Sequence, residues 1–253
     1  RFYGLPINLQ GRILPQFTKL IHVMRLDDMP VDSVSGNFRH YKLFNILDPH
    51  DHKPWAMKWI ALHRTGTAYC VDEWPNRAFK DVVEHKTYSE YAKIIDEKEV
   101  NLRDIFGVNV TKRIIDPNFG NKTVQLAERQ GGQSKTTPVE ELKKFGLKFN
   151  DGIDSLEAGH MKLREVLHYE KKGDEIVKQP LYFILENCIN SIASLQKYSY
   201  KDLTTASGDE KRQPGPREEY KDFVDLDRYF WMSNPQFITA AQAWREPERV
   251  RVY

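Results

Sequence analysis

Lys42-Leu-Phe-Asn-Ile-Leu-Asp48-Pro-His-Asp-His-Lys-Pro-Trp55-Ala-Met-Lys-Trp-Ile-Ala-Leu62-His-Arg-Thr-Gly66-Thr-Ala-Tyr-Cys70-Val-Asp-Glu-Trp74 is the stretch on which the reading of this chain turns. Leu43 to Leu47 is a short apolar run stopped by Asp48-Pro49. Proline holds the residue before it in extended backbone, so the run is expected as a strand with a carboxylate at its end. Trp55 to Leu62 is a second run, and Thr65-Gly66-Thr67 turns into a third, Ala68 to Val71. Three runs joined in this way predict an antiparallel meander.

Beyond the meander, Arg77 to Lys98 places Phe79, Val82, Val83, Tyr91, Ile94 and Ile95 at mostly helical spacing, which predicts an amphipathic helix. Thr111-Lys-Arg-Ile-Ile-Asp116-Pro117 then repeats the pattern of apolar residues, acid and proline. A strand reached through a crossover helix runs parallel to its starting strand, so Asp48 and Asp116 are expected at one edge of the sheet. Residues 118–138 are rich in Gly, Asn, Gln, Ser and Thr and predict a loop region with a short helical piece at Thr123 to Arg129. Helices follow at Val139 to Phe145 and at Ser155 to Tyr169, the second with Leu156, Met161, Leu163, Val166 and Leu167 as its buried stripe. Pro180 to Leu185 predicts a central fifth strand, and Cys188 to Tyr198 another helix. After a charged Gly/Pro loop at 204–219, a last helix starts near Tyr220. The fold class expected is α/β, a mixed five-stranded sheet, meander first and parallel strands after, flanked by helices.

Residues 1–37 carry Pro6, Gly11, Pro15 and Pro30 among apolar residues without sustained period and predict an arm or linker that packs onto something; 38–235 form the main domain and 236–253 a tail. The opening on Arg1 suggests a piece of a longer protein. With 253 residues, 40% hydrophobic and 29% charged, the chain can bury a sizeable core. No run reaches membrane-spanning length and no signal peptide is visible, so a soluble, unsecreted protein is expected. Cys70 and Cys188 sit in apolar strand-like surroundings and are expected as buried free thiols, in keeping with a reducing compartment. A net charge of +2 does not by itself demand a polyanionic partner.

Hydrolysis of nucleic acid by two-metal chemistry needs three or four carboxylates around two divalent cations about 3.5–4 Å apart. Hard oxygen ligands select Mg2+ or Mn2+. Asp48 and Asp116 at adjacent strand ends, with an acid opening the last helix, satisfy that need. Either Asp-Pro taken singly is also an ordinary strand stop.

The ordered series Asp48-Pro, Val71-Asp-Glu73, Ile115-Asp-Pro117, Leu185-Glu-Asn-Cys188 with Leu195-Gln-Lys-Tyr198, and Asp222-Phe-Val-Asp225-Leu-Asp-Arg-Tyr229 resembles the C-terminal nuclease domain of the large terminase subunits of tailed bacteriophages. The resemblance covers about residues 40 to 232. It implies a ribonuclease H-like fold and a two-metal DNA endonuclease that cuts concatemeric viral DNA during genome packaging. It also implies an ATPase motor domain N-terminal in the same chain, portal and small terminase subunits as partners, and work in the host cytoplasm during virion assembly. Carried over position by position, Asp48, Asp116 and Asp222 are the expected catalytic and metal-binding acids. Where the family usually has two adjacent polar residues at the start of the last helix, this chain has Lys221-Asp222. Asp225, one helical turn on, is therefore either a further metal ligand or a partner of Arg228, while Asp227 points elsewhere. Rival readings are a non-catalytic docking domain of the packaging motor and a related resolvase or transposase nuclease.

His50, Asp51 and His52 lack further ligands at a zinc spacing and read as surface turn residues beside the site, with contact of one of them to metal, water or phosphate as the alternative. Asp72 and Glu73 read as peripheral, and Tyr182, Phe183, Tyr229 and Trp231 as core. Lys112, Arg113, Lys122, Arg129, Lys135, Lys211, Arg212 and Arg217 lie in or beside the two loops and are the candidates for binding the phosphates of double-stranded DNA. No base-reading module is visible, so little sequence specificity is expected.

Overall fold

The structure, a computed structural model, describes residues 11–82, 86–127, 133–201 and 215–237. Its strands are β1 (Val23–Met24), β2 (Tyr41–Asp48), β3 (Ala56–His63), β4 (Ala68–Trp74), β5 (Val110–Ile115), β6 (Val124–Ala127), β7 (Gln133–Thr136), β8 (Asn150–Asp151), β9 (Glu170–Lys172), β10 (Glu175–Lys178) and β11 (Tyr182–Leu185). Its helices are α1 (Lys19–His22), α2 (Tyr88–Phe106), α3 (Pro117–Gly120), α4 (Pro138–Lys144), α5 (Leu156–Val166), α6 (Ile189–Lys197) and α7 (Lys221–Met232).

The meander is present: β2 pairs antiparallel with β3, and β3 with β4. Gly66 at φ +89 allows the tight β3–β4 turn, where the His63 amide donates to Thr67 O at 2.8 Å. Strand β5 joins β2 in parallel, and β11 joins β4 in parallel. Among the described residues the sheet has seven strands, in the order β1-β11-β4-β3-β2-β5-β8, rather than the five expected. The two extra members, β1 and β8, are two-residue edge strands, too short to leave a periodic signal. The stretch expected as an arm packs into the domain where it is described. It supplies β1, and Ile13, Leu14 and Phe17 are at most 1% exposed. No described helix is long and apolar enough to cross a membrane.

Every residue of β3 is buried, because helices cover both faces of the sheet. Side chains alternate across a strand, so Phe44 and Ile46 pack with α5, α6 and α7 on one face, while Leu43 and Leu47 pack with α2 and α4 on the other. That alternation directs Asp48, two residues beyond Ile46, toward the α7 face.

Several boundaries differ from the sequence reading. Helix α2 begins at Tyr88, not Arg77, because Thr87 and Glu90 form a capping box; Phe79–Asp81 is a separate 3-10 turn. The helical piece expected at Thr123 to Arg129 is instead strand β6, paired antiparallel with β7; residues 128–132 lie outside the described residues. The hairpin β9–β10, turning at Gly173 with φ +64, has no counterpart in the sequence reading. Helix α5 forms as expected, but Met161 is 67% exposed. The helix buries Gly159, His160, Leu163 and Val166. It approaches α7 so closely that a Cβ on Gly159 would collide with the Arg228 side chain. Cys70 and Cys188 are buried free thiols, as expected.

Candidate metal centre

Strands β2 and β5 are in register with Leu47 beside Ile115, and the Asp116 amide donates to Leu47 O at 2.9 Å. Asp48 and Asp116 therefore leave the sheet at the same edge, each followed by its proline. Asp48 is 4% exposed and Asp116 3%. Helix α7 crosses that edge with Asp222 in its first turn, and all three acids, with Asp225, line one open cavity of about 600 Å³.

The tightest cluster contains a residue that reads from sequence as a surface turn. Asp48, His50 and Asp222 each offer a ligand atom, and these atoms lie within 4.8 Å of one another. His50 Nε2 is 3.3 Å from Asp48 Oδ2 and 3.6 Å from Asp222 Oδ1. Its side chain is 10% exposed, yet Nε2 makes no hydrogen bond. Trp55 Nε1 donates to the His50 carbonyl at 3.2 Å and so fixes its backbone, and the His50 ring meets the Phe119 ring nearly edge-on. The only hint in the sequence is the Asp48-Pro-His50 spacing, which puts two donors on either side of a rigid turn.

Burial pushes the Asp48 carboxyl up; His50 opposes this, while Asp222 and Asp116 push the same way. A buried carboxylate beside two others is an arrangement that a cation relieves. Asp222 meets Lys53, whose Nζ lies 2.6 and 2.7 Å from its two oxygens. The residues fit a divalent cation on their own chemistry: two carboxylates facing one cavity and, between them, a buried imidazole nitrogen without a hydrogen-bond partner.

Asp116 differs from its two companions. As N-cap of α3 it accepts from the Asn118 and Phe119 amides at 3.2 and 3.1 Å, and Tyr229 Oη donates to it at 3.1 Å. Most of its acceptor capacity is met by the chain. Tyr229 is thus not only a core residue. Asp225 is tied to Arg228, whose Nε donates to it at 3.0 Å and whose Nη2 donates to Asp154 at 2.9 Å. Burial pushes Asp225 up to about 7, against the pull of Arg228 and Lys221. Asp227 points away from the cavity into the core, where Lys58 and Tyr182 hold it at 2.6 and 2.5 Å.

The basic candidates divide. Lys122 lines the cavity and pairs with Asp51 at its rim. Arg113 is committed to Glu99 of α2, on the opposite face of the sheet. Lys135 is exposed on β7, Lys112 is half-buried on β5, and Arg217 Nε donates to Tyr200 O. Arg129, Lys211 and Arg212 lie outside the described residues. Lys53, Lys221 and Arg228, not singled out from the sequence as phosphate-binding residues, line the cavity. Asp72 pairs with Lys98 at 2.7 Å, and Glu73 caps α6 by accepting from the Asn190 and Ser191 amides at 2.6 and 2.9 Å, both structural tasks.

No family model and no curated relative matches the chain by sequence. Solved structures match it in fold. The large terminase of a thermophilic bacteriophage superposes with a TM-score of 0.57 at 18% identity, over 87% of this chain and 44% of its own. Its complex with ATP-gamma-S gives 0.58 at 17% identity over the same shares. The P22 large terminase nuclease domain gives 0.56 at 12% identity, over 89% of this chain and 93% of its own. The chain spans under half the length of the thermophilic phage's protein and nearly all of the P22 domain. Its seven-stranded mixed sheet with flanking helices is the ribonuclease H-like fold of the large terminase nuclease domain.

Proposed function

We propose that this chain is a metal-dependent DNA endonuclease of the terminase kind, cutting concatemeric viral DNA during packaging by two-metal hydrolysis. The observation that carries the reading is the convergence of Asp48, His50 and Asp222, with Asp116 beside them, at the shared edge of β2, β5 and α7. Asp48 and Asp222 hold the cations, Mg2+ or Mn2+, with Asp116 and Asp225 as further acids of the same cavity. The bound ions supply an activated water and charge stabilisation at the leaving oxygen. The chain's own residues do the rest. Tyr229 and the α3 amides fix the Asp116 carboxylate in one orientation, so it presents little freedom to lose. Arg228 anchors Asp225 and Asp154 together, and Lys53, Lys122 and Lys221 face the cavity where a phosphate backbone would lie. With no base-reading element among the described residues, these contacts favour duplex DNA of any sequence.

In this reading an ATPase motor precedes the domain in the full-length protein, the portal and small terminase subunit are its partners, and it acts in the host cytoplasm. Incubation with supercoiled plasmid tests the chemistry. Nicking should appear with Mg2+ or Mn2+ and stop with chelator. Cutting undiminished in excess chelator would overturn the mechanism, and a protein that binds metal but never cuts DNA would favour a docking domain.

A further inference from the structure

We propose that the metal centre is a mixed nitrogen and oxygen site in which His50 Nε2 is itself a ligand, and that it therefore prefers divalent transition ions to Mg2+. This rests on the metal-centre reading above and adds to it, since an all-carboxylate site would show a weaker preference and one that does not depend on His50.

Three observations carry it. First, Nε2 is a buried polar atom without a hydrogen-bond partner, on a side chain nine-tenths removed from solvent. Buried polar groups are nearly always paired, so an orphan calls for an explanation. Second, the atom lies 3.3 and 3.6 Å from oxygens of Asp48 and Asp222 and meets the geometry of a hydrogen bond with neither. A nitrogen set between two acids in this way suits a cation shared by all three. Third, the ring is oriented by groups that do not compete for Nε2: Trp55 holds the backbone carbonyl and Phe119 packs against the ring.

The chemistry follows from the donor set. Mg2+ is bound through oxygen and demands a near-ideal octahedron, so an imidazole in its shell is a poor match. Imidazole raises affinity along the first-row series, with Co2+ above Mn2+. The carboxylates of Asp48 and Asp222 supply hard oxygens that keep Mn2+ acceptable, while His50 tilts the balance away from Mg2+.

Pulsed electron paramagnetic resonance of the protein loaded with Mn2+, without DNA, tests the ligand directly. A 14N coupling should be present and should vanish in His50→Ala. Calorimetric titration reads the preference: Co2+ should bind the protein at least about tenfold more tightly than Mg2+, and His50→Ala should erase most of that ratio with little change for Mg2+. His50→Asp replaces the nitrogen donor with a carboxylate oxygen, so it should bind Mg2+ well and show no 14N coupling. Absence of coupling in the unaltered protein, or equal loss of Co2+ and Mg2+ affinity in His50→Ala, overturns the assignment. Should His50→Ala fail to fold, the coupling in the unaltered protein and the His50→Asp titration still decide it. Coupling in a protein that never cuts DNA sinks the endonuclease reading alone, whereas Mg2+-driven cutting without coupling sinks this one alone.

Discussion

Lys53 reaches Asp222 and Lys58 reaches Asp227 across the same junction, from the β2–β3 segment to helix α7, each at 2.6 Å. Lys58 and Asp227 are both fully buried, with Tyr182 Oη donating to the carboxylate and the Phe223 ring beneath the ammonium. The side chain of Lys53 is 42% exposed and that of Asp222 13%, and both line the cavity. Paired chemistry of one kind thus serves two ends. In the inner pair neither charge can exchange its partner for solvent or an ion, so the pair fastens α7 to the sheet. At the cavity a cation can compete for Asp222, and on the proposed function a displaced Lys53 would be left free for a phosphate. Distance alone does not tell a structural ion pair from a functional one; access does.

The largest effect expected separates the two pairs. Asp48→Asn and Asp222→Asn should lower the cleavage rate by roughly 10⁴-fold, a little over 5 kcal/mol of transition-state stabilisation, while metal-free stability is kept. Asp227→Asn should do the reverse in kind: an uncompensated buried Lys58 costs about 3–5 kcal/mol in denaturant unfolding. Should Asp227→Asn leave the unfolding midpoint in place, or Asp222→Asn shift it by as much, the division is wrong.

Acid sharpens the contrast on the buried side of α7. His160 of α5 lies beside Arg228 and the Tyr198 ring, and burial, then Arg228 and Arg164, pushes its pKa down to about 4. Between the ordinary histidine value and about 4 the unfolded chain binds a proton at this position and the folded chain does not. Stability is therefore present above about pH 6.5 and falls by up to about 3 kcal/mol as the pH drops to about 4. His160→Gln should flatten that limb of the stability curve, as read by urea unfolding at roughly pH 7, 5.5 and 4.5. A limb unchanged in the variant assigns the acid lability elsewhere.

The smallest effect belongs to the outer pair. A half-exposed ion pair is worth about 0.2–1 kcal/mol, so Lys53→Ala should tighten Mn2+ binding only by up to about fivefold while barely moving the melting temperature. Weaker binding of Mn2+ in Lys53→Ala would show that the ammonium does not compete with the ion.

Much of this was legible in the chain. Asp48 and Asp116 each end an apolar run before proline, a pattern that local backbone sterics enforce, and parallel pairing of β2 with β5 brings them to one edge. The last helix was expected from about Tyr220, and Asp222 entered as a site acid through the resemblance to the terminase nuclease domains. For His50 the surface turn was the leading reading and contact with metal the minor one, because a turn histidine is ordinarily solvated and this one is enclosed by α7 and Phe119, both distant in sequence. Val124-Gln-Leu-Ala suits a helix as well as a strand, and its pairing with β7 decides the matter. Spacing places Met161 in the core, but the close approach of Gly159 to Arg228 turns α5 so that Met161 faces solvent.

The insertion of β1 beside β11 bears on where the domain can be cut. A gene fragment starting at residue 38 would look reasonable from the sequence, yet it would strip Val23 and Met24 from the sheet and take Ile13, Leu14 and Phe17 out of the core. The uncovered β11 would then offer a free row of backbone donors and acceptors to any passing strand, an invitation to edge-to-edge aggregation. Expression boundaries for this domain belong upstream of residue 11, and an insoluble shorter product would say nothing against its chemistry.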